Sequence, residues 1–265
     1  MQKQLSTRVC SLVALAAAIL IVVPACEKPP AAAPNATPTK ESPPSLEIRP
    51  EGPAKIGEPA IVGRDADSFA SYIHFPKNAA PASESAVQFY CDVSAEGAVL
   101  ATYGLIGNDP AFKSAVQSAL DWGKFKPAKL DGKPVPVYLG GTVLFFHQGG
   151  QPVIVVSLAT AERERVGKLA NYLQPQLIGG LADRLQRANS TLMWNRPWTG
   201  AAEVLFKVGG RGQTDSSSVI SEIPKDSGLG ELLRTITQDA QWVPAYNDGK
   251  ATAGEINVVV NFGEY

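Results

Sequence analysis

The groups that could build a catalytic or metal site in this 265-residue chain are few: two histidines, three cysteines and 25 acidic residues. A general base needs a partner within hydrogen-bond reach, and a zinc site needs spaced His and Cys ligands. Neither histidine stands in such a pattern. His74 precedes Phe75-Pro76 and reads as a surface or cap residue, while His147 follows a strand end at a Gly-Gly turn. Asp65 and Asp67 could pair on a cation, yet capping of a first helical turn accounts for both. Gly209-Gly-Arg-Gly212 joins two strands instead of opening a helix, so it reads as a turn and not as a phosphate loop. Trp122, Trp194, Trp198 and Trp242 are too unevenly spaced for a stacking platform, and Trp122 and Trp242 are expected to fill the gap between helix and sheet. These residues point to a binding or structural protein, with no enzyme activity, cofactor or metal expected.

Charge excludes another class. With 24 basic and 25 acidic residues the formal charge is −1, which provides no electrostatic drive toward nucleic acid. The first 25 residues are expected to be an export signal. Lys3 and Arg8 precede Val9 to Val23, an apolar run that suits a signal h-region better than a membrane span. The run ends at Val23-Pro24-Ala25-Cys26, which resembles a bacterial lipobox apart from Pro24. Cys26 is therefore the expected lipidation site, and cleavage there or retention of the segment as an anchor both remain open. Residues 26–58, rich in Pro and Ala, should form a semi-rigid tether. Cys91 lies in Val87-Gln-Phe-Tyr-Cys-Asp-Val93, where Val87, Phe89, Cys91 and Val93 share one strand face, so a buried hydrophobe is expected there and not a reactive thiol.

The elements that would position any site occur twice. Phe125-Lys-Pro-Ala-Lys-Leu-Asp-Gly-Lys133 is answered by Trp242-Val-Pro-Ala-Tyr-Asn-Asp-Gly-Lys250, with Pro127 to Pro244 and Phe145 to Phe262 each 117 residues apart. The expected modules are 59–147 and 175–265, joined by a connector over 148–174 with a strand near Val153–Val156 and a helix over Thr160–Leu173. In the first module a helix over 65–73 precedes a hairpin, Val87 to Val93 and Ala98 to Ile106 around Ser94–Gly97. A helix from Asn108-Asp109-Pro110, with Phe112, Val116, Ala119 and Leu120 on one face, leads to a closing strand. In the second module Glu203–Val208 and Thr214–Ile220 form the hairpin, and Asp226-Ser227 should cap a helix with Leu229, Leu232, Leu233 and Ile236 on its face. The fold class expected is α+β: two tandem two-layer modules, each a small antiparallel sheet with helices on one face.

The ordered set resembles the C-terminal domain of TonB and its relatives. The features are Pro175-Gln-Leu-Ile-Gly-Gly-Leu-Ala-Asp-Arg-Leu185, Phe75-Pro-Lys-Asn-Ala79, the strand and turn from Val87 to Gly97, and an aromatic before Pro-Ala with its following Gly and Val/Phe-rich strand, Phe125 to Phe146. The second copy departs by placing Trp194-Asn-Arg-Pro-Trp198 at the Tyr-Pro-x-x-Ala position, and the N-terminal segment lacks the motor-coupling histidine of the family's energy transducers. With the expected lipid anchor at Cys26, this resemblance gives the expectation of a periplasm-facing, lipid-anchored module of a Gram-negative envelope, with the outer membrane ahead of the inner. It would bind an outer-membrane transporter or other envelope protein by β-strand addition. The candidate edges are Gly141, Val143 and Phe145 in the first copy and Asn257, Val259 and Asn261 in the second. The alternative is a structural envelope scaffold in which both strands complete their own sheets.

Overall fold

The computed structural model describes residues 57–77, 79, 84–169, 171–192 and 199–262. The expected signal, Cys26, nearly all of the tether and the Trp194–Trp198 element lie outside the described residues. The chain divides into two units, Met1–Arg49 and Pro50–Tyr265, and all the described residues belong to the second.

β1 (Gly57–Glu58) and β2 (Ile61–Val62) precede a four-residue helix, α1 (Phe69–Tyr72). This is shorter than the expected 65–73 because the aspartates do not cap it. Its N-cap is Ser68, without a side-chain cap bond, and Asp67 pairs instead with Lys124 at 3.3 Å. β3 (Ser85–Val93) and β4 (Val99–Ile106) form the hairpin expected from their two-residue alternation. In α2 (Pro110–Trp122) the Asp109 carboxylate accepts from the Ala111 N–H at 2.8 Å, and Phe112, Val116, Ala119 and Leu120 are the buried stripe. Trp122 is 71% exposed, against the expectation that it fills the core. In the 117-residue period the partner of Trp242 is Phe125, and these two are buried alike, each 3% exposed.

β5 (Phe125–Lys126), β6 (Ala128–Leu130) and β7 (Lys133–Val135) lead to the long β8 (Val137–Gln148) and its hairpin partner β9 (Gln151–Ser157). The connector helix is reduced to α3 (Arg163–Val166) and a 3-10 turn, Gly167–Leu169, followed by β10 (Tyr172–Leu173). Gly167 weakens a helix at that point, and ladder bonds from Tyr172 and Leu173 to Asn247 and Tyr246 outweigh local helical preference.

The chain continues through β11 (Gln176–Ile178), α4 (Ala182–Leu192), β12 (Ala201–Val208), β13 (Thr214–Ile223) and α5 (Leu229–Ile236). The cap of α5 is Gly228, at φ 79°, and not Asp226 or Ser227; Glu222 on β13 completes it by accepting from the Gly230 N–H at 2.9 Å. β14 (Trp242–Val243), β15 (Ala245–Asn247), β16 (Lys250–Thr252) and β17 (Gly254–Asn261) follow. The class is α+β, mostly antiparallel strands in several sheets with few helices.

Three pairings each occur twice. β1–β6–β7 is matched by β10–β15–β16, β2–β5 by β11–β14, and β4–β3–β8 by β13–β12–β17. The turns match as well. Gly97 and Gly212 have φ of 87° and 79°, and a Cβ there would strike the carbonyl oxygen of Phe125 or Trp242 at about 2 Å. In both places only glycine lets the hairpin turn receive the N–H of that aromatic residue.

One core lies between β3, β8 and helices α1 and α2, with Phe69, Phe89, Cys91, Phe112, Phe125 and Phe145 at its centre. A second gathers Phe206, Leu229, Leu233, Trp242, Ile256 and Val258 from the later elements, together with Tyr90 and Tyr138. Cys91 is fully buried beside Val87, Phe89 and Val93, as its strand face predicts. Burial pushes its thiol well above the ordinary range, which disfavours the reactive thiolate.

Candidate functional site

Strand addition needs backbone N–H and C=O groups that face no neighbour, so the site must be sought at sheet edges. β8 is not one. Gly141, Val143 and Phe145 pair with Phe89, Val87 and Ser85 of β3, and the opposite flank of β8 pairs with β9 from Thr142 to Gln148 and with β11 at Val137 and Tyr138. The expectation that these three residues lie on an open edge is therefore corrected. The hairpin across Gly149-Gly150 folds β9 onto the flank that would have been free. Gly141 has another duty: a Cβ there would meet the Phe89 ring at 2.4 Å, so the glycine makes room for a core aromatic.

β17 is the outer strand of its three-stranded sheet, bonded to β12 on one flank. Its other flank is nevertheless closed at Val259. The Tyr138 hydroxyl donates to the Val259 carbonyl at 3.2 Å and accepts from the Val259 N–H at 2.8 Å. One phenol thus supplies the donor and acceptor that a neighbouring peptide group would supply. Earlier on the same strand, the Glu255 backbone hydrogen-bonds to the Tyr172 hydroxyl. Of the expected positions, Val259 is occupied from within the molecule. The Asn257 side chain donates to Glu203 at 2.6 Å, and Asn261 is exposed. β17 is an outer strand, but the sequence could not reveal a phenol from β8, 121 residues away, that closes it at Val259.

The same junction holds a buried acid. Asp92, 2% exposed on β3, accepts from the Leu181 N–H at 2.9 Å, the Ala182 N–H at 2.8 Å and the Tyr103 hydroxyl at 2.8 Å. It binds the first turn of α4 to the sheet of β3. Burial pushes its carboxyl above the ordinary carboxylate range, opposed by those donors. Burial also raises the phenols of Tyr138 and Tyr103, and that of Tyr90 to about 12, so all three stay protonated as hydrogen-bond donors at neutral pH. Gln176 repeats the device: its side-chain amide accepts from the Ala60 N–H at 2.7 Å and donates to the Ala60 carbonyl at 2.8 Å. Asp92 and Gln176 were missed as site residues. A polar residue amid a strand's apolar alternation was the available signal.

The longest strands bonded on one flank and not closed this way are β4, β9 and β13. β13 runs ten residues, with Ile220 and Ile223 exposed. The Gly209–Gly212 segment is the tight turn leading into it, as expected. His147 packs edge-on against Phe75 at 4.8 Å between ring centroids. Among the described residues no group of three or more His, Cys, Asp or Glu is gathered to hold a metal, and no helix is long and apolar enough to cross a membrane. Comparison with protein-family models, curated proteins and solved structures finds no match.

Proposed function

We propose that this chain is a lipid-anchored, periplasm-facing protein-binding element of a Gram-negative envelope, non-catalytic and built from two TonB-like modules in tandem. In this account residues 59–147 and 175–265 are the modules, 148–174 the connector and 1–58 the export signal and tether, with Cys26 acylated. The partner is an outer-membrane transporter or another envelope protein that contributes an extended segment. The observation that carries the proposal is the set of long strands, β4, β9 and β13, each paired with one other strand among the described residues. The other flank of each offers backbone groups to a pairing segment, while side chains at alternate positions select it. The duplicated pairing pattern supports the tandem arrangement.

The test is capture from envelope extracts with the full-length protein, followed by hydrogen exchange. The expected result is a recovered envelope protein whose binding slows exchange on β4, β9 or β13. Capture of no envelope protein, or capture with all three strands unaffected, counts against strand addition. Cys26→Ser should release the protein from the membrane fraction; unchanged attachment would mean that the N-terminal segment is itself the anchor.

A scaffold with no transporter partner is the second account. It is favoured by the closure of the two strands first expected to receive a segment: β8 by β9 and β11, and β17 at Val259 by Tyr138. Uniformly slow exchange on β4, β9 and β13 in the isolated protein would support it.

A further inference from the structure

β4 has a helix laid along it, as β13 has α5, and between β4 and its helix lies a groove with charged residues on the helical wall. Among the described residues the ladder bonds of β4 go to β3, and it stays half-exposed over most of its length. α2 runs antiparallel beside it. At one end a Cβ on Gly107, just after β4, would lie 3.5 Å from Lys113 Cγ. At the other, Ala98, just before β4, forms an isolated bridge with Lys124, just past the end of α2. Between these ends lies a shallow groove of about 390 Å³, lined by Leu105 from β4 and by Lys113, Ser114, Gln117, Ser118 and Asp121 from α2.

The groove is polar along its helical wall and carries opposite charges at its two ends. Lys113 stands at the Ile106 end of β4, and Asp121, which accepts from the Gln117 amide at 2.7 Å, lies two turns further along α2, toward the Lys124 that bridges Ala98. Eight residues of helix separate the two charges by about 12 Å. An extended chain covers that distance in about four residues, at roughly 3.3 Å each.

The geometry points to the β4–α2 groove as the receiving site for an extended peptide segment that pairs antiparallel to β4 and carries an acidic residue followed, four positions later, by a basic one. An antiparallel segment enters at the Ile106 end, so its earlier residue faces Lys113 and its later residue faces Asp121. The backbone of β4 supplies sequence-independent hydrogen bonds, and the two end charges select the order of the segment's charges. This inference rests on the strand-addition account of function and specifies its site and ligand.

Two synthetic peptides test it on the full-length protein, both N-acetylated and C-amidated: Glu-Thr-Val-Thr-Lys and Lys-Thr-Val-Thr-Glu. The first should slow amide exchange over Val99–Ile106 and bind roughly tenfold more tightly than the second, the change expected when two exposed ion pairs turn repulsive. The double variant Lys113→Glu, Asp121→Lys should invert that preference. Both substitutions lie on the exposed wall of α2 and suit the helix dipole, so folding should be retained. Equal binding of the two peptides, unchanged preference in the double variant, or protection on β9 or β13 instead of β4 would overturn the assignment. If neither peptide protects β4 while envelope capture succeeds, the groove assignment falls and strand addition stands. If capture fails as well, the functional account falls with it.

Discussion

The two copies of the repeat use equivalent strands in different surroundings. β8 and β17 each pair with the first strand of a hairpin, β3 or β12, and occupy matching places in the 117-residue period. β8 is flanked on its outer side by β9 and β11, and β17 by the hydroxyls of two tyrosines. Thr142 and Val259 are equivalent positions. The Thr142 hydroxyl donates to the Ala159 carbonyl at 2.8 Å and so ties down the connector, whereas Val259 is itself tied down by Tyr138. The three pairings recur in matching order. What lies outside each sheet depends on the other copy, and there the symmetry ends. β11, from the second stretch, adds to the sheet of β8, while its equivalent β2 pairs with β5 alone.

The largest effect should come from equivalent core positions on β3 and β12. Phe206 fills its core completely, and Cys91 holds the matching place with a much smaller side chain. Phe206→Ala should cost about 4 kcal/mol. Cys91→Ala should cost about 1 kcal/mol. Urea titrations of both variants read the difference directly, and equal losses would mean that the two cores are not equivalent.

Asp92 comes next, because its equivalent is Lys207, an exposed residue paired with Glu255 at 3.3 Å. Asp92→Asn disturbs three donors at the junction and should cost about 2 kcal/mol, whereas losing the Lys207 pair should be almost silent. The Asp92 effect should also depend on pH. Its carboxyl is raised in the folded state, so the native protein holds that proton more tightly than the unfolded chain does. That contribution is complete below the ordinary carboxylate value and is lost as pH rises through the raised one. Acidification across that window should therefore favour wild type over Asp92→Asn; a gap that stays constant with pH would contradict the raised value.

Tyr138→Phe should have a small effect, about 1 kcal/mol, since the ring still fills its site and only the edge bonds are lost. Its signature is local. The Val259 amide should exchange faster, while amides on β8 stay protected by β9. A global increase would mean that the phenol supports the junction as a whole.

Much of the architecture was legible in the residues. The β3–β4 hairpin, the cap and buried face of α2, the turn at Gly209–Gly212 and the burial of Cys91 all follow from alternation, helical spacing and turn chemistry, which are local properties. Some expectations failed on distant partners and others on near neighbours. The connector helix over 160–173 gave way where β10 found a ladder with β15, and Asp65 and Asp67 left the cap of α1 to Ser68. Trp122 stands exposed because Phe125 holds the place expected for it.

The sequence by itself therefore determined the α+β class and most of the core-facing stripes, because period and local chemistry are written in neighbouring residues. Only the tertiary structure decided which edges are open. Whether a backbone flank meets a strand, a phenol or solvent depends on residues more than a hundred positions away. Tyr138 closing Val259 from 121 positions away and Asp92 gripping the start of α4 from 89 away are decisions of that kind.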